Sequence, residues 1–182
     1  MSPIWKKGMA VLALAAVLGG AQALRVLADE EAGMKAPAMP AEFEKLKSLV
    51  GTWKGTADMG GDKPMDVTHT FELTSGGSAV VEKLMVGTPK EMVSVYCSEG
   101  GKLVMTHYCS MGNQPKMSLK KNSDNEMDFL MKGTAGIGSA KDAHMHGMNI
   151  VWKDADHITE QWTMYNDGKQ RKTVAFELAR VK

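Results

Sequence analysis

The chain has 182 residues, 22 Lys and Arg against 21 Asp and Glu, and a formal charge of +1. With 43% hydrophobic and 24% charged residues, it has enough apolar material to build a core, which excludes disorder along its whole length. The near-zero charge argues against a dedicated nucleic-acid or polyanion binder, and the 16 Met and two Cys need explaining.

The first element is a targeting segment. Lys6 and Lys7 form a short basic region, and Gly8 to Gly20 carries no charge. Ala21-Gln22-Ala23 then supplies small residues at cleavage spacing, so residues 1–23 are expected to be a secretory signal peptide. The apolar run is shorter than the ~20 residues that a membrane-spanning helix needs. A second cleavage site lies after Ala28, and the alternative to cleavage is a retained amphipathic anchor. No Cys lies near either site, so a lipid anchor is not expected. Removing residues 1–23 takes away two Lys and no acid, which leaves 20 basic against 21 acidic residues and a net charge of −1. The expected destination is the periplasm or the medium, with no stable membrane anchor after cleavage and no nucleic-acid partner.

Residues 24–42 are small, acidic and contain Pro and Met, and they read as a linker. Phe43, Leu46 and Leu49 (or Val50) recur at helical spacing and predict a short helix. Residues 43–182, about 140 in number, suit one domain. Their punctuation is regular. Turn signals at Ser75-Gly76-Gly77, Gly87-Thr88-Pro89, Gly100-Gly101, Gly112-Asn113, Asn122 to Asn125, Gly133 to Gly138, Asp154 to Asp156 and Asn166-Asp167-Gly168 are mostly 11 to 13 residues apart. The runs between them are rich in Val, Thr, Phe, Tyr and Trp. Such spacing leaves no room for crossover helices and predicts an antiparallel all-β protein of roughly nine or ten strands.

Period-2 alternation sets the inner faces. Met65, Val67, His69, Phe71 and Leu73 share one face, as do Met127, Phe129 and Met131. Met148, Ile150 and Trp152 form a third set; Ile158, Glu160, Trp162 and Met164 a fourth; Val174, Phe176 and Leu178 a fifth. One apolar and one polar face per strand suits an up-and-down barrel, whose closure removes sheet edges. Met on these faces either lines an adaptable pocket or fills an irregular core.

Some short motifs carry a resemblance. Leu49-Val50-Gly51-Thr52-Trp53-Lys54-Gly55 resembles the G-x-W opening of lipocalin-like and nitrobindin-like (calycin) barrels, in which the Trp closes one barrel end. Thr106-His107-Tyr108-Cys109 with Gly112-Asn113-Gln114-Pro115-Lys116-Met117, together with Ser75 to Ala79 and Glu91-Met92-Val93, is similar to a family of uncharacterised, often exported bacterial proteins with a lipocalin-like barrel. The resemblance covers roughly residues 43–182 and implies the fold, but no activity. The nitrobindin likeness suggests haem without designating an axial His.

Candidate site residues follow from the inner faces. His69, His107 and Glu160 are expected to form an internal polar cluster, because an unpaired carboxylate between Ile158 and Trp162 needs a partner. His107 faces inward if Leu103, Met105 and Cys109 do. His69, His107, Cys109, Glu160, Trp162, Met105 and Phe129 are therefore the expected ligand-binding residues, for a small, mainly apolar molecule. His144 and His146 share a face provided that Gly147 makes no bulge, and they are a speculative metal pair, as is His107 with Cys109. The haem or metal reading, and an enzyme acting through the same His and Glu groups, stand as alternatives; no cofactor is designated. Ser75 to Ser78 lacks the strand-to-helix setting of a nucleophile elbow, and Gly133 to Gly138 lacks the Lys of a phosphate loop. The latter is expected to be a flexible loop at the barrel mouth. Gly112 to Pro115 is either a gate at that mouth or a structural turn.

The two Cys admit a register test. If Gly100-Gly101 turns a hairpin, Cys97 pairs near residue 103 or 104 and Cys109 near 91 or 92. That offset is about 16–20 Å along a strand, whereas a disulfide needs Cα atoms within about 7 Å. Two free thiols are predicted, even in an oxidising compartment.

Overall fold

The structure is a computed structural model that describes residues 39–182. The expected signal peptide, and the linker up to residue 38, lie outside the described residues. Helix α1 (Ala41–Lys47) takes in the last two residues of the expected linker, Ala41 and Glu42. Ten strands follow: β1 (Gly51–Asp58), β2 (Met65–Thr74), β3 (Ala79–Leu84), β4 (Met92–Glu99), β5 (Lys102–Tyr108), β6 (Lys116–Ser123), β7 (Glu126–Met131), β8 (His144–Trp152), β9 (His157–Asn166) and β10 (Lys169–Arg180). Each pairs antiparallel with its sequence neighbour, and β1 pairs with β10 to close the barrel. The expected all-β, antiparallel up-and-down barrel with a short N-terminal helix is what the described residues form.

Hairpin turns sit where left-handed backbone is cheap. Gly100 and Gly101 have φ of 55° and 75°, and Glu99 pairs with Lys102 across them. Asp167-Gly168 makes an equivalent two-residue turn, with φ of 54° and 69°. Two successive positive φ values match the right-handed twist of the flanking strands.

Alternation then fills the interior. Val67, His69 and Phe71 of β2 are buried, but Met65 and Leu73 at its ends are exposed, contrary to expectation. Met127, Phe129 and Met131, then Met148 and Ile150, and then Ile158, Glu160 and Trp162 point inward, as do Val174, Phe176 and Leu178. Among the described residues seven Met are buried, and Met105, Met117 and Met127 have no exposed surface.

One end of the barrel is plugged. Seven residues are too few for a helix to be stable alone, so α1 depends on packing. Its Phe43 and Leu46, and Leu49 beyond it, are fully buried. Trp53 lies beneath them, donates its indole N–H to the Leu49 carbonyl at 2.7 Å, and is covered by the Arg180 guanidinium at 4.3 Å from its ring. Arg180 also donates to the carbonyls of Ser48 and Val50. Trp53 thus closes this end, as the G-x-W opening implies. Gly55, two residues on, is required for another reason: a Cβ there would lie 1.7 Å from the Glu177 carbonyl oxygen of β10.

The opposite end carries the longer loops. Gln114 N–H donates to the Gly136 carbonyl and Lys116 N–H to that of Ala135. Asn113 donates its side-chain amide to the Ala143 carbonyl at 2.7 Å. Gly112 to Pro115 is therefore a structural turn that ties the 133–143 loop down. That loop is not free at its centre, because a Cβ on Gly136 would stand 1.6 Å from the Gln114 oxygen.

Cys97 pairs with Val104, as the register argument requires. The Cys109 sulfur lies 3.9 Å from the Met92 sulfur, and both Cys are free.

Candidate functional site

The polar residues of the interior form one connected group. His69 on β2, Glu82 on β3 and Glu160 on β9 are each fully buried. His69 Nδ1 lies 3.5 Å from Glu82 Oε1 and 3.6 Å from Glu160 Oε2. Tyr96 donates its hydroxyl to Glu82 Oε2 at 2.7 Å, and Trp162 turns its indole N–H to Glu160 Oε2 at 3.4 Å. The Trp162 ring also meets the His107 ring, with centroids 4.3 Å apart. His107 Nδ1 shares a hydrogen bond of 3.1 Å with the Ser94 hydroxyl. Phe176 packs on His69, and Phe129 meets Tyr96 edge-on.

Alternation places these groups. β2, β3, β4 and β5 run side by side, and Ser94 pairs with both Glu82 and His107. Phe71 pairs with Glu82, so His69 stands one inward step away along β2. β9 lies across β1 and β10 from β2 and brings Glu160 and Trp162 from the other side.

Identical burial gives the two histidines opposite electrostatics. At His107, burial dominates and lowers the pKa to about 4, with only the Glu82 charge in opposition. At His69, burial also disfavours the charge, but contact with Glu160 and Glu82 overrides it and raises the pKa to about 9. Burial and the Glu160 charge push Glu82 up to about 7, against His69 and the Tyr96 hydroxyl. Tyr96 is raised well above its ordinary value by burial and the two carboxylates. Near neutral pH the interior therefore holds an imidazolium between two acids, beside a neutral imidazole.

Five side-chain atoms of this group are buried without a hydrogen-bond partner: His69 Nδ1 and Nε2, Glu82 Oε1, Glu160 Oε1 and His107 Nε2. A buried unsatisfied polar group costs about 1–3 kcal/mol. Five of them amount to on the order of 5 kcal/mol or more, a large share of the about 5–15 kcal/mol that typically holds a domain together.

Sequence reasoning gathered His69, His107, Glu160, Trp162, Met105 and Phe129, and the structure places all six inside the barrel. Cys109 is buried too, but it lies at the mouth against Met92. Glu82, Ser94 and Tyr96 were missed. The signal was available, since Val80-Glu82-Leu84 and Met92-Ser94-Tyr96 alternate as the other strands do.

His144 and His146 need a correction. The register slips between Met145 and Gly147, so β8 bulges at the point on which their inward facing depended. His144 pairs with Tyr165, which alternates away from inward Trp162, and the His146 ring stacks on Tyr165 at 4.0 Å. His144 Nε2 lies 3.0 Å from His146 Nδ1, and its Nδ1 lies 2.7 Å from the Asp142 carbonyl. The two rings are thus hydrogen-bonded to each other, and among the described residues no third His, Cys, Asp or Glu joins them in a metal-type cluster.

Outside the barrel, an open groove of ≈ 540 Å³ runs along β1 and β2 past Lys54, Thr56, Asp66 and Thr68. It is separate from the internal group.

No family model matches the chain, nor does any curated protein. Among solved structures it is similar to a protein of unknown function of the DUF3598 family from Nostoc punctiforme PCC 73102, at 14% identity and a TM-score of 0.50. The alignment covers 75% of this chain and 49% of that one, so the chain spans about half the length of the Nostoc protein. It also resembles Rv2717c from M. tuberculosis at 13% identity and a TM-score of 0.49, over 80% of this chain and all of that one. The likeness to the Nostoc protein shows a shared barrel fold, in keeping with the expected kinship to uncharacterised barrel domains.

Proposed function

We propose that this chain is an exported barrel that binds a small, mainly apolar molecule in its interior. One observation carries the reading. Five unpartnered polar atoms converge inside a barrel that is otherwise lined by Met, Phe and Trp. A few polar groups in an apolar enclosure are the usual signature of a small-molecule site. Met105, Phe129 and Trp162 would pack against the apolar part of the ligand. His69, Glu82, Glu160 and His107 would meet its polar end. Cys109, near the mouth, would stand on the entry path.

The ordered mouth supports entry by local opening. The turn at Asn113 and the loop around Gly136 are held mainly by backbone hydrogen bonds at the surface, and such bonds open at modest cost.

Native mass spectrometry of the protein from its own host tests the proposal. The expected result is a discrete extra mass that is lost on denaturation and diminished in Glu160→Gln. A native mass equal to the bare polypeptide in every preparation would overturn the reading. Amino-terminal sequencing of the same material tests export; a mature chain starting at Leu24 or Asp29 is expected, and an intact Met1 would contradict it.

A further inference from the structure

The central polar group has a donor arrangement that an organic ligand does not explain by itself. Among the described residues, His69, Glu82 and Glu160 are the one group of three metal-type side chains whose potential ligand atoms all lie within 4.8 Å of one another. All three are fully buried. The separations of 3.5 and 3.6 Å from His69 Nδ1 to the two carboxylates are too long for good hydrogen bonds, which fall near 2.7–3.2 Å. They suit a shared cation instead. With metal–ligand distances of about 2.1 Å, the edge of a tetrahedral site is about 3.4 Å.

Each of the three side chains also has an unused valence. His69 Nδ1 and one oxygen of each glutamate have no hydrogen-bond partner. Glu82 turns its unpartnered Oε1 to His69 while the Tyr96 hydroxyl holds Oε2; Glu160 turns Oε2 to both His69 and the Trp162 indole and leaves Oε1 unpartnered. A short donor such as the Tyr96 hydroxyl, at 2.7 Å, fixes the orientation of a ligating carboxylate. With a neutral imidazole and both carboxylates bound to the ion, the triad offers two negative charges in a buried interior. A divalent cation cancels them, where an unpaired buried charge would be very costly.

We propose that His69, Glu82 and Glu160 form a site for one divalent transition-metal cation in the centre of the barrel. One imidazole and two carboxylates favour Zn²⁺, Mn²⁺ or Fe²⁺, because the set contains no thiolate or thioether that would select a soft ion. Three protein donors leave a further coordination position, as in metal sites that accept an exogenous group. The site differs from both pairs that the sequence suggested. It deepens the small-molecule reading by giving the polar end of the ligand a metal to meet, but it does not require that reading.

The test is a Co²⁺ titration of the full chain, purified without a polyhistidine tag and stripped with chelator. Metal is supplied both to the folded protein and during refolding, so that slow entry into a closed barrel does not decide the outcome. The expected result is one equivalent of Co²⁺ with the intense visible absorption of a low-coordinate ion, displaced by one equivalent of Zn²⁺. Glu82→Gln and Glu160→Gln keep shape and a hydrogen-bond acceptor, and each should weaken binding by about tenfold or more. His146→Ala should leave it unchanged. Circular dichroism shows which variants fold; should one fail, the other and the wild-type spectrum still decide. Absence of stoichiometric Co²⁺ under both conditions overturns the proposal. So does binding that survives both Gln substitutions, or binding lost with His146. A chain that takes no metal yet carries an organic mass overturns the metal site alone; metal without organic mass overturns the small-molecule reading alone.

Discussion

Replacing Glu82 by Gln removes one of the two buried carboxylates facing His69, while keeping the side-chain volume and an oxygen for the Tyr96 hydroxyl. The pKa of His69 stands at about 9, against an ordinary 6.5. That difference is on the order of 3 kcal/mol in favour of the imidazolium. Burial alone would act in the opposite direction, as at His107, which is equally buried and falls to about 4. The carboxylates therefore account for the reversal, and losing one should lower the His69 pKa by ~1–3 units. The sign for stability follows. A raised His pKa contributes stability that is fully present below 6.5 and is lost as pH rises through about 9. Glu82 acts in the same direction in a lower window, between 4.5 and about 7. Metal-free wild type should thus become less stable from neutral to alkaline pH, and Glu82→Gln should flatten that decline. Histidine-ring NMR titration and urea unfolding over the same pH range measure both quantities. A wild-type His69 that titrates near its ordinary value, or one that Glu82→Gln leaves unmoved, would refute the reasoning.

Further outcomes follow from other parts of the barrel. His107, with its lowered pKa, contributes stability that is present above 6.5 and lost as pH falls through about 4, so His107→Gln should flatten the acid limb of urea denaturation; an unchanged limb would place the acid loss elsewhere. Phe129→Ala removes a ring that is 1% exposed in the core and should cost about 3–5 kcal/mol, read by urea unfolding. A loss near zero would mean that Phe129 packs against nothing rigid. Gly136→Ala sets a methyl group against the Gln114 carbonyl in left-handed backbone, at φ of 82°. It should release the mouth loop, seen as faster amide exchange at Gln114 and Lys116, and unaltered protection would contradict that packing. Under non-reducing denaturation two thiols should react per chain, and in the folded state half-buried Cys97 should react before buried Cys109. Fewer than two thiols would reveal a disulfide that the β4–β5 register forbids.

Period-2 alternation made much of the barrel legible, because each strand has only one side on which apolar groups can hide. It put Glu160 between Ile158 and Trp162 on the inner face, and the high cost of a lone buried carboxylate pointed to histidine partners. The same rule would have found Glu82. In the short strand Ala79–Leu84, however, flanking Lys83 makes the acid resemble half of a surface charge pair. Ser94 and Tyr96 are ordinary strand residues whose role exists only through β3 and β5 on either side. His144 and His146 marked the limit of parity. A bulge changes the count by one residue, and Gly147 signals that a bulge can form there without fixing its register. The plug formed by α1 was equally hidden, since helical spacing shows that a face is buried but not what it covers.

The central claim concerns what the interior holds. The most direct measurement is a crystal structure, at a resolution that shows ordered water, of the protein isolated from its own host. The expected result is continuous density other than solvent in contact with His69, Glu82, Glu160 or His107 and packed against Trp162. An interior in which those atoms are satisfied by water alone would contradict the account.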